Sequence, residues 1–381
     1  MIDVVDRFIN YVKINTQSRE SSKTTPSTPG QWDLAHLLED ELHSMGVTET
    51  KLDNNCYLYA KIPANTTKKY YNIGLIAHLD TSPDEKGLGV KPHITNLKNG
   101  EVAITSDGTT LLGADDKAGI AEIMSAAEFF MENPDVEHGD IYIAFTPDEE
   151  IGRGTDFFDL TYFTPDFAYT VDGGEVGELE IENFNAAKLT IEVTGKNYHP
   201  GYAKGKMRNA VLIASKIVEV LSSEQIPETT DGQVGFFHVT SITGNVSKAK
   251  IVCLIRDFDE KEFNSKKEFT QYIVDNINEQ FGEGTVKLSI EDQYKNMFEV
   301  ICKYPHVVDL AKKAMIKAGV TPKLTPIRGG TDGVKLCFMG MPCPNLFTGG
   351  MNFHSKEEYI PIKSLNAAED TLIEIIKGAE K

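Results

Sequence analysis

Apolar residues along this chain fall into two recurring patterns. Residues 72–77, 141–145 and 167–171 are short, nearly unbroken apolar runs, the pattern of strands buried on both faces. Residues 58–62 also read as a strand. Between these runs the spacing becomes helical. Ile2, Val5, Ile9 and Val12 share one face over residues 1–15, and Leu34, Leu37, Leu38 and Leu42 share one over residues 31–45. A third helix opens at the Gly113–Gly119 segment, carries Ile120, Ile123, Met124, Ala127 and Phe130, and is ended by Asn133-Pro134. Strands alternating with helices predict an α/β domain with a doubly wound, mainly parallel sheet.

The pattern changes near Asn183. Residues 188–193 alternate with period two, as in a strand with one solvated face. A helix over 207–222, strands over 235–240 and 250–256, a charged amphipathic helix over 260–281 and a strand over 286–290 follow. That order predicts a small α+β, ferredoxin-like layer. The α/β pattern then resumes, with a helix over 305–318 and short strands at 324–326 and 344–347. The expected organisation is a main domain of residues 1–183 plus 295–381, with a smaller domain, residues 184–294, inserted into it.

Composition narrows the classes. A chain of 381 residues exceeds one compact core. Its 57 acidic and 38 basic residues leave a net charge of -19, which argues against nucleic acid and against an anionic membrane surface as partners. Charges interrupt the N-terminal residues, so they do not read as a secretory signal, and no run of about 18 apolar residues occurs. The five cysteines lack a CxxC pair and read as reduced thiols of a cytoplasmic protein.

The candidate chemistry sits where strands end. His78 and Asp80 follow the strand at 73–77, Glu149 and Glu150 follow the one at 141–145, and Asp172 follows the one at 167–171. In open α/β sheets ligands bind at the carboxyl ends of strands. Asp115 lies in a glycine-flanked turn at a helix start, and His354 in a Gly-rich turn. Two imidazoles, two terminal carboxylates and one shared carboxylate are the inventory for two cations about 3.5–4 Å apart. The spacing of His78 and Asp80 puts both on one side of an extended chain, so Asp80 can accept a hydrogen bond from the second nitrogen of His78. Of the adjacent acids Glu149 and Glu150, one can ligate while the other takes a proton from water. Each piece alone has a plainer use: a structural histidine, solvated acids, a helix N-cap at Asp115, a turn at Asp172-Gly-Gly. Together they favour metal-assisted hydrolysis.

Ala77-His-Leu-Asp-Thr-Ser-Pro83, Leu112-Gly-Ala-Asp-Asp-Lys-Ala-Gly119, Thr146-Pro-Asp-Glu-Glu-Ile-Gly152 and Thr170-Val-Asp-Gly-Gly174 resemble the dinuclear zinc aminopeptidase and aminoacylase superfamily. Asn183–Ala187, His199-Pro-Gly201, Ile255–Asp259, Pro326–Gly333 and Pro342–Gly350 are similar to its peptidase T family, the tripeptide aminopeptidases, so the likeness spans nearly the whole chain. The resemblance implies two zinc ions per subunit, with cobalt or manganese as substitutes. It implies that Asp115 bridges them, that His78 and Asp172 complete one site, and that Glu150 and His354 complete the other. It makes Glu149 the general base and Asp80 its supporting carboxylate, and it implies a cis peptide between Asp115 and Asp116. In the inserted domain, a lid, it gives His199 a role over the oxyanion; Arg256 and Arg328 would meet the substrate's carboxylate or backbone. The stretch between Asp80 and Asp115 is shorter than in enterobacterial members, which leaves the rim of the site open to question.

The expected reaction is removal of the N-terminal residue from a tripeptide, the small peptide being the partner. An N-acyl amino acid hydrolase, a dipeptidase or a carboxypeptidase of the same superfamily is the alternative. A binding protein with a dead site is disfavoured by the full ligand set. The helix over 260–281 also admits an assembly role, a homodimer included.

Overall fold

The computed structural model describes residues 2–222 and 225–381. The chain separates into two compact units. Unit 1 takes the chain up to Ile181, Met297–Thr325 and Thr331–Lys381; unit 2 takes Glu182–Asn296 and Pro326–Gly330.

Unit 1 begins with α1 (Val4–Tyr11), α2 (Gly30–Ser44), β1 (Glu49–Leu52), β2 (Leu58–Ile62), β3 (Ile73–His78), β4 (His93–Asn96), β5 (Val102–Thr105), α3 (Ala114–Glu132), β6 (Ile141–Thr146), β7 (Phe167–Gly173) and β8 (Glu178–Glu180). Unit 2 follows with β9 (Asn185–Thr194), α4 (Ala210–Leu221), β10 (Phe236–Gly244), β11 (Lys248–Asp257), α5 (Glu260–Phe281) and β12 (Val286–Tyr294). The chain returns to unit 1 with α6 (Phe298–Ile301), α7 (Pro305–Lys317), β13 (Lys323–Leu324), α8 (Asp332–Phe338), β14 (Asn345–Phe347), β15 (Tyr359–Pro361) and α9 (Ile362–Lys377).

The main sheet of unit 1 has the order β1-β2-β6-β3-β7-β14-β8-β13. Its centre is parallel: β3 pairs with β6 and β7, and β7 with β14. Every residue of β3 and β6 is buried, which accounts for their unbroken apolar runs. Antiparallel pairs flank it, where β2 meets β6, β1 meets β2 and β14 meets β8, and the outermost β13 pairs parallel with β8. The sheet is therefore mixed with a parallel centre, as the mainly parallel expectation has it. At one edge a five-residue turn, with Asp53 Oδ1 accepting from the Asn55 and Tyr57 N–H groups, lets β1 fold straight back on β2. A second sheet, β15-β5-β4, has no counterpart in the sequence reading; β4 is fully exposed and so lacks a buried period.

The first helix stops at Tyr11 instead of running to residue 15. Its continuation is recruited by tertiary contacts: the Ile14 carbonyl accepts from the buried Lys117 ammonium at 2.6 Å, and Gly30 lies flat against the Asn15 carbonyl. The strand expected at 324–326 is β13, two residues at 323–324.

Unit 2 is a four-stranded antiparallel sheet of order β10-β11-β9-β12, with α4 and α5 on one face. Its core joins Leu189, Ile191, Ile213, Ile217, Ile251 and Ile273. The five cysteines are unpaired, and four are buried. Among the described residues no helix is long and apolar enough to cross a membrane.

Helix α3 lies close on the central strands. A Cβ at Gly119 would stand 1.9 Å from the Val171 carbonyl oxygen and 2.5 Å from Asp116 Oδ1. Gly119→Ala therefore forces α3 off β7, and we expect a loss of about 1–3 kcal/mol in unfolding free energy by urea denaturation.

Candidate metal centre

Register brings the first ligands together. In the parallel pairing, His78 faces Thr146 and Ile76 faces Thr170, so His78 and Asp172, each two residues on from that pair, come level at the carboxyl ends of β3 and β7. Strand β6 ends beside them and passes into a single 3-10 turn, Glu149–Ile151. Gly113, with φ of 84°, opens the turn that presents Asp115, where the backbone departs from helical geometry before α3 proper begins. The Asp115–Asp116 peptide is cis. His354 stands in the left-handed region, φ 59°, in the loop before β15.

These segments place five donors around one point. His78 Nε2 lies 2.9 Å from Asp115 Oδ1 and 3.4 Å from Asp172 Oδ1. His354 Nε2 lies 3.2 Å from Asp115 Oδ2 and 2.9 Å from Glu150 Oε2. The two oxygens of Asp115 thus face different imidazoles, each paired with a further carboxylate. His78, Asp115 and Glu150 offer ligand atoms within 4.8 Å of one another, as do His78, Asp116 and Asp172.

The electrostatics match that arrangement. Burial, reinforced by Asp115, pushes the Glu150 carboxyl up to about 8, and burial pushes Asp172 up to about 7 despite His78. Hydrogen bonds to the accepting carboxylates of Asp115 and Glu150 hold His354 up to about 11. Burial would raise Asp115, but its bonds to His354 and His78 hold it well below the usual carboxylate range. Carboxylates so placed compete for too little positive charge. Glu150 Oε1 is buried without a hydrogen-bond partner among the described residues. The donor types, two imidazole nitrogens and carboxylate oxygens, suit a first-row divalent ion. The residues present therefore fit a pair of divalent cations.

Glu149 differs from its neighbour. Its carboxylate has no hydrogen-bond partner among the described residues, and burial, then the charge on Asp172, push it well above its ordinary range. Asp80 holds this turn: Oδ1 accepts from the Glu149 N–H at 2.9 Å and Oδ2 from the Glu150 N–H at 3.2 Å. Asp80 also approaches His78, but the nearer partner of Nδ1 is the Asp80 carbonyl at 3.0 Å, with the carboxylate at 3.3 Å.

Three supporting acids were not singled out from sequence. Asp116, fully buried, accepts the His78 N–H at 3.1 Å through Oδ2. Asp148, at φ 60°, accepts from the Ser27 N–H and Gln31 Nε2 and so anchors the residue before Glu149. Glu358 accepts three backbone N–H groups from the Asp115 turn. The Asp-Asp and Asp-Glu-Glu runs were visible signals for the first two; nothing in sequence marks the third.

The remaining predicted residues lie in unit 2. Arg256 on β11 lies over the Tyr294 ring at 5.3 Å. Arg328 donates to the Gly232 carbonyl at 2.6 Å, and its guanidinium lies over Phe184 and Phe236 at 5.1 and 5.6 Å. Phe236 pairs with Arg256, so the two arginines share one end of the sheet. His199 is exposed beyond the far end of β9, its Nδ1 accepting from the Gly201 N–H. Ala186, paired with Arg256, and Thr194 are separated by eight residues of strand, about 26 Å. Unit 2 thus brings Arg256 and Arg328 together but leaves His199 apart from them.

Asp80→Asn replaces one acceptor oxygen by an amino group facing an N–H. We expect divalent-ion affinity to fall about 10–100-fold, measured by chelator competition.

A family model described as peptidase family M20/M25/M40 matches residues 74–378, from β3 past His354. Peptidase T of Caldanaerobacter subterraneus subsp. tengcongensis is 49% identical over 403 residues, covering 99% of this chain and 98% of that one. Peptidase T of Halothermothrix orenii is also 49% identical, with 99% of each covered. The structure of the aminopeptidase PepT from Bacillus cereus superposes with a TM-score of 0.84 at 26% identity, over 99% of this chain and 98% of that one. The chain belongs to peptidase family M20/M25/M40, on its peptidase T branch.

Proposed function

We propose that the protein is an aminopeptidase that removes the N-terminal residue from tripeptides at a dinuclear metal site. The carrying observation is that the two oxygens of Asp115 are divided between two imidazole–carboxylate pairs while Glu149 stands beside them unpartnered. The peptidase T relatives and the M20 family model support the same reading.

In this proposal His78 and Asp172 hold one ion, Glu150 and His354 the other, and Asp115 both. Zinc suits these donors, with cobalt or manganese as substitutes. When bound, the ions would lower the pKa of water and polarise a carbonyl oxygen.

The chain's own residues carry the proton. Glu149 takes a proton from water as the water oxygen bonds to the first peptide carbonyl carbon. The C–N bond then breaks, and Glu149 returns that proton to the departing amine. The products are an amino acid and a dipeptide. Asp80 keeps the Glu149 turn in place through two backbone N–H groups. The proposal gives the substrate's carboxylate to Arg256 and Arg328, whose planar forks match it; His199, about 26 Å of strand away from them in unit 2, is given no contact with the same tripeptide.

Two tests bear on this. Free di-, tri- and tetrapeptides, together with an N-acetylated tripeptide, should be assayed with the zinc- or cobalt-loaded protein; hydrolysis should favour the free tripeptide and spare the blocked one. Preferred cleavage of the blocked peptide, or release of a C-terminal residue, would move the reading to an N-acyl amino acid hydrolase or a carboxypeptidase. Glu149→Ala should keep its metal content and lose about 100- to 10,000-fold in turnover; near-normal turnover removes Glu149 from the role.

A further inference from the structure

Glu358 is a buried acid outside the ligand set, 2% exposed. Its Oε2 accepts from the Leu112 N–H at 2.7 Å and the Gly113 N–H at 2.8 Å, and its Oε1 accepts from the Asp115 N–H at 3.1 Å. Three backbone donors of one turn thus converge on one carboxylate from a segment more than 240 residues away. All three belong to the turn that presents Asp115, whose backbone is not helical and so leaves these N–H groups without the usual acceptors.

The same carboxylate is tied to His354. Tyr359, next to Glu358, exchanges both backbone hydrogen bonds with Met351, at 2.9 and 3.1 Å. That bridge closes a loop in which Asn352 and His354 both adopt positive φ. Within it, Ser355 Oγ donates to the Asn352 carbonyl at 2.8 Å. Tyr359 also opens β15, which pairs with β5 and fixes the loop's end. His354 and Glu358 therefore leave one short, closed loop: the imidazole goes to Asp115 Oδ2, and the carboxylate to the Asp115 backbone.

We propose that Glu358 is a positioning residue that locks the His354 loop to the Asp115 turn, so that the shared carboxylate and one terminal ligand are set together by a single clamp. The inference rests on the dinuclear reading above. It makes the two ion sites interdependent: loosening the clamp shifts Asp115 relative to His354 and weakens the bridge, while His78 and Asp172 stay on their strands.

Glu358→Gln is the informative variant. It keeps the size and one acceptor oxygen but turns an amino group toward an N–H donor. Calorimetric titration of the metal-free protein with Mn²⁺ is combined with electron paramagnetic resonance of the loaded form, and circular dichroism and thermal unfolding report the fold. We expect the wild type to take up two ions that are exchange-coupled through the shared carboxylate. In Glu358→Gln we expect one ion to bind about 10–100-fold more weakly and the coupling to fall, with the circular dichroism spectrum retained. A role confined to stability would lower the melting temperature and leave the coupling alone. Unchanged affinity for both ions, with unchanged coupling, overturns the clamp. If Glu358→Gln fails to fold, Glu358→Asp, which keeps both oxygens on a shorter arm, is read by the same criteria. A wild-type protein that takes up a single uncoupled ion overturns the dinuclear reading and the clamp with it; a coupled wild-type pair beside an unaltered variant overturns the clamp alone.

Discussion

Unbalanced negative charge, gathered where parallel strands end, is the condition on which the rest of this structure turns. Asp115, Glu149, Glu150 and Asp172 share a small volume with the imidazoles of His78 and His354 as the nearest cationic partners. The Lys117 ammonium, three residues from Ala114, is turned away to the Ile14 carbonyl. Ionised carboxylates in such surroundings are costly unless paired, and the upward displacement of Glu150 and Asp172 records that cost. A site of this kind is built for a cationic occupant, and its ligand atoms face one another across the space where one would sit.

Holding such a group together requires that the ligands be fixed by something other than their mutual contacts. The sheet does part of this. Parallel pairing of β3 with β6 and β7 brings three strand ends to one edge, each rigid because it is buried on both faces. The rest is done by acids that accept backbone N–H groups. Asp80 holds the Glu149–Glu150 turn, Asp116 holds the His78 backbone, Asp148 anchors the approach to the turn, and Glu358 holds the Asp115 turn. Using main-chain donors leaves the ligating atoms free, and it divides the acids at this edge into those that face the centre and those that brace it.

Much of the architecture was legible where burial imposes a period, although the amphipathic α9, which buries Leu365, Ala368, Leu372 and Ile376, went unread. The fully buried β3 and β6, the helix α3 with its apolar spacing, and the amphipathic α5 fall where the pattern puts them. The exposed β4 and the short β13 carry no such period, so one went unread and the other was misplaced by a residue. The first helix was overextended because its spacing continues past Tyr11, while Lys117 and Gly30 claim the following carbonyls from elsewhere in the fold. Asp116, Asp148 and Glu358 went unassigned for a related reason. A side chain that binds backbone leaves no complementary residue type to be found in the sequence.

From its sequence alone, this chain determined its layers and the strand ends at which its acids and histidines fall. Periodicity and residue type are local properties, and a strand buried on both faces has few alternatives. Only the tertiary structure decided which oxygen of Asp115 meets which imidazole, that Arg328 lies over Phe184 and Phe236, and that Glu358 grips a turn far away in the chain. Those outcomes are set by the approach of segments from 37 to 246 residues apart, and spacing along the chain carries no record of that approach.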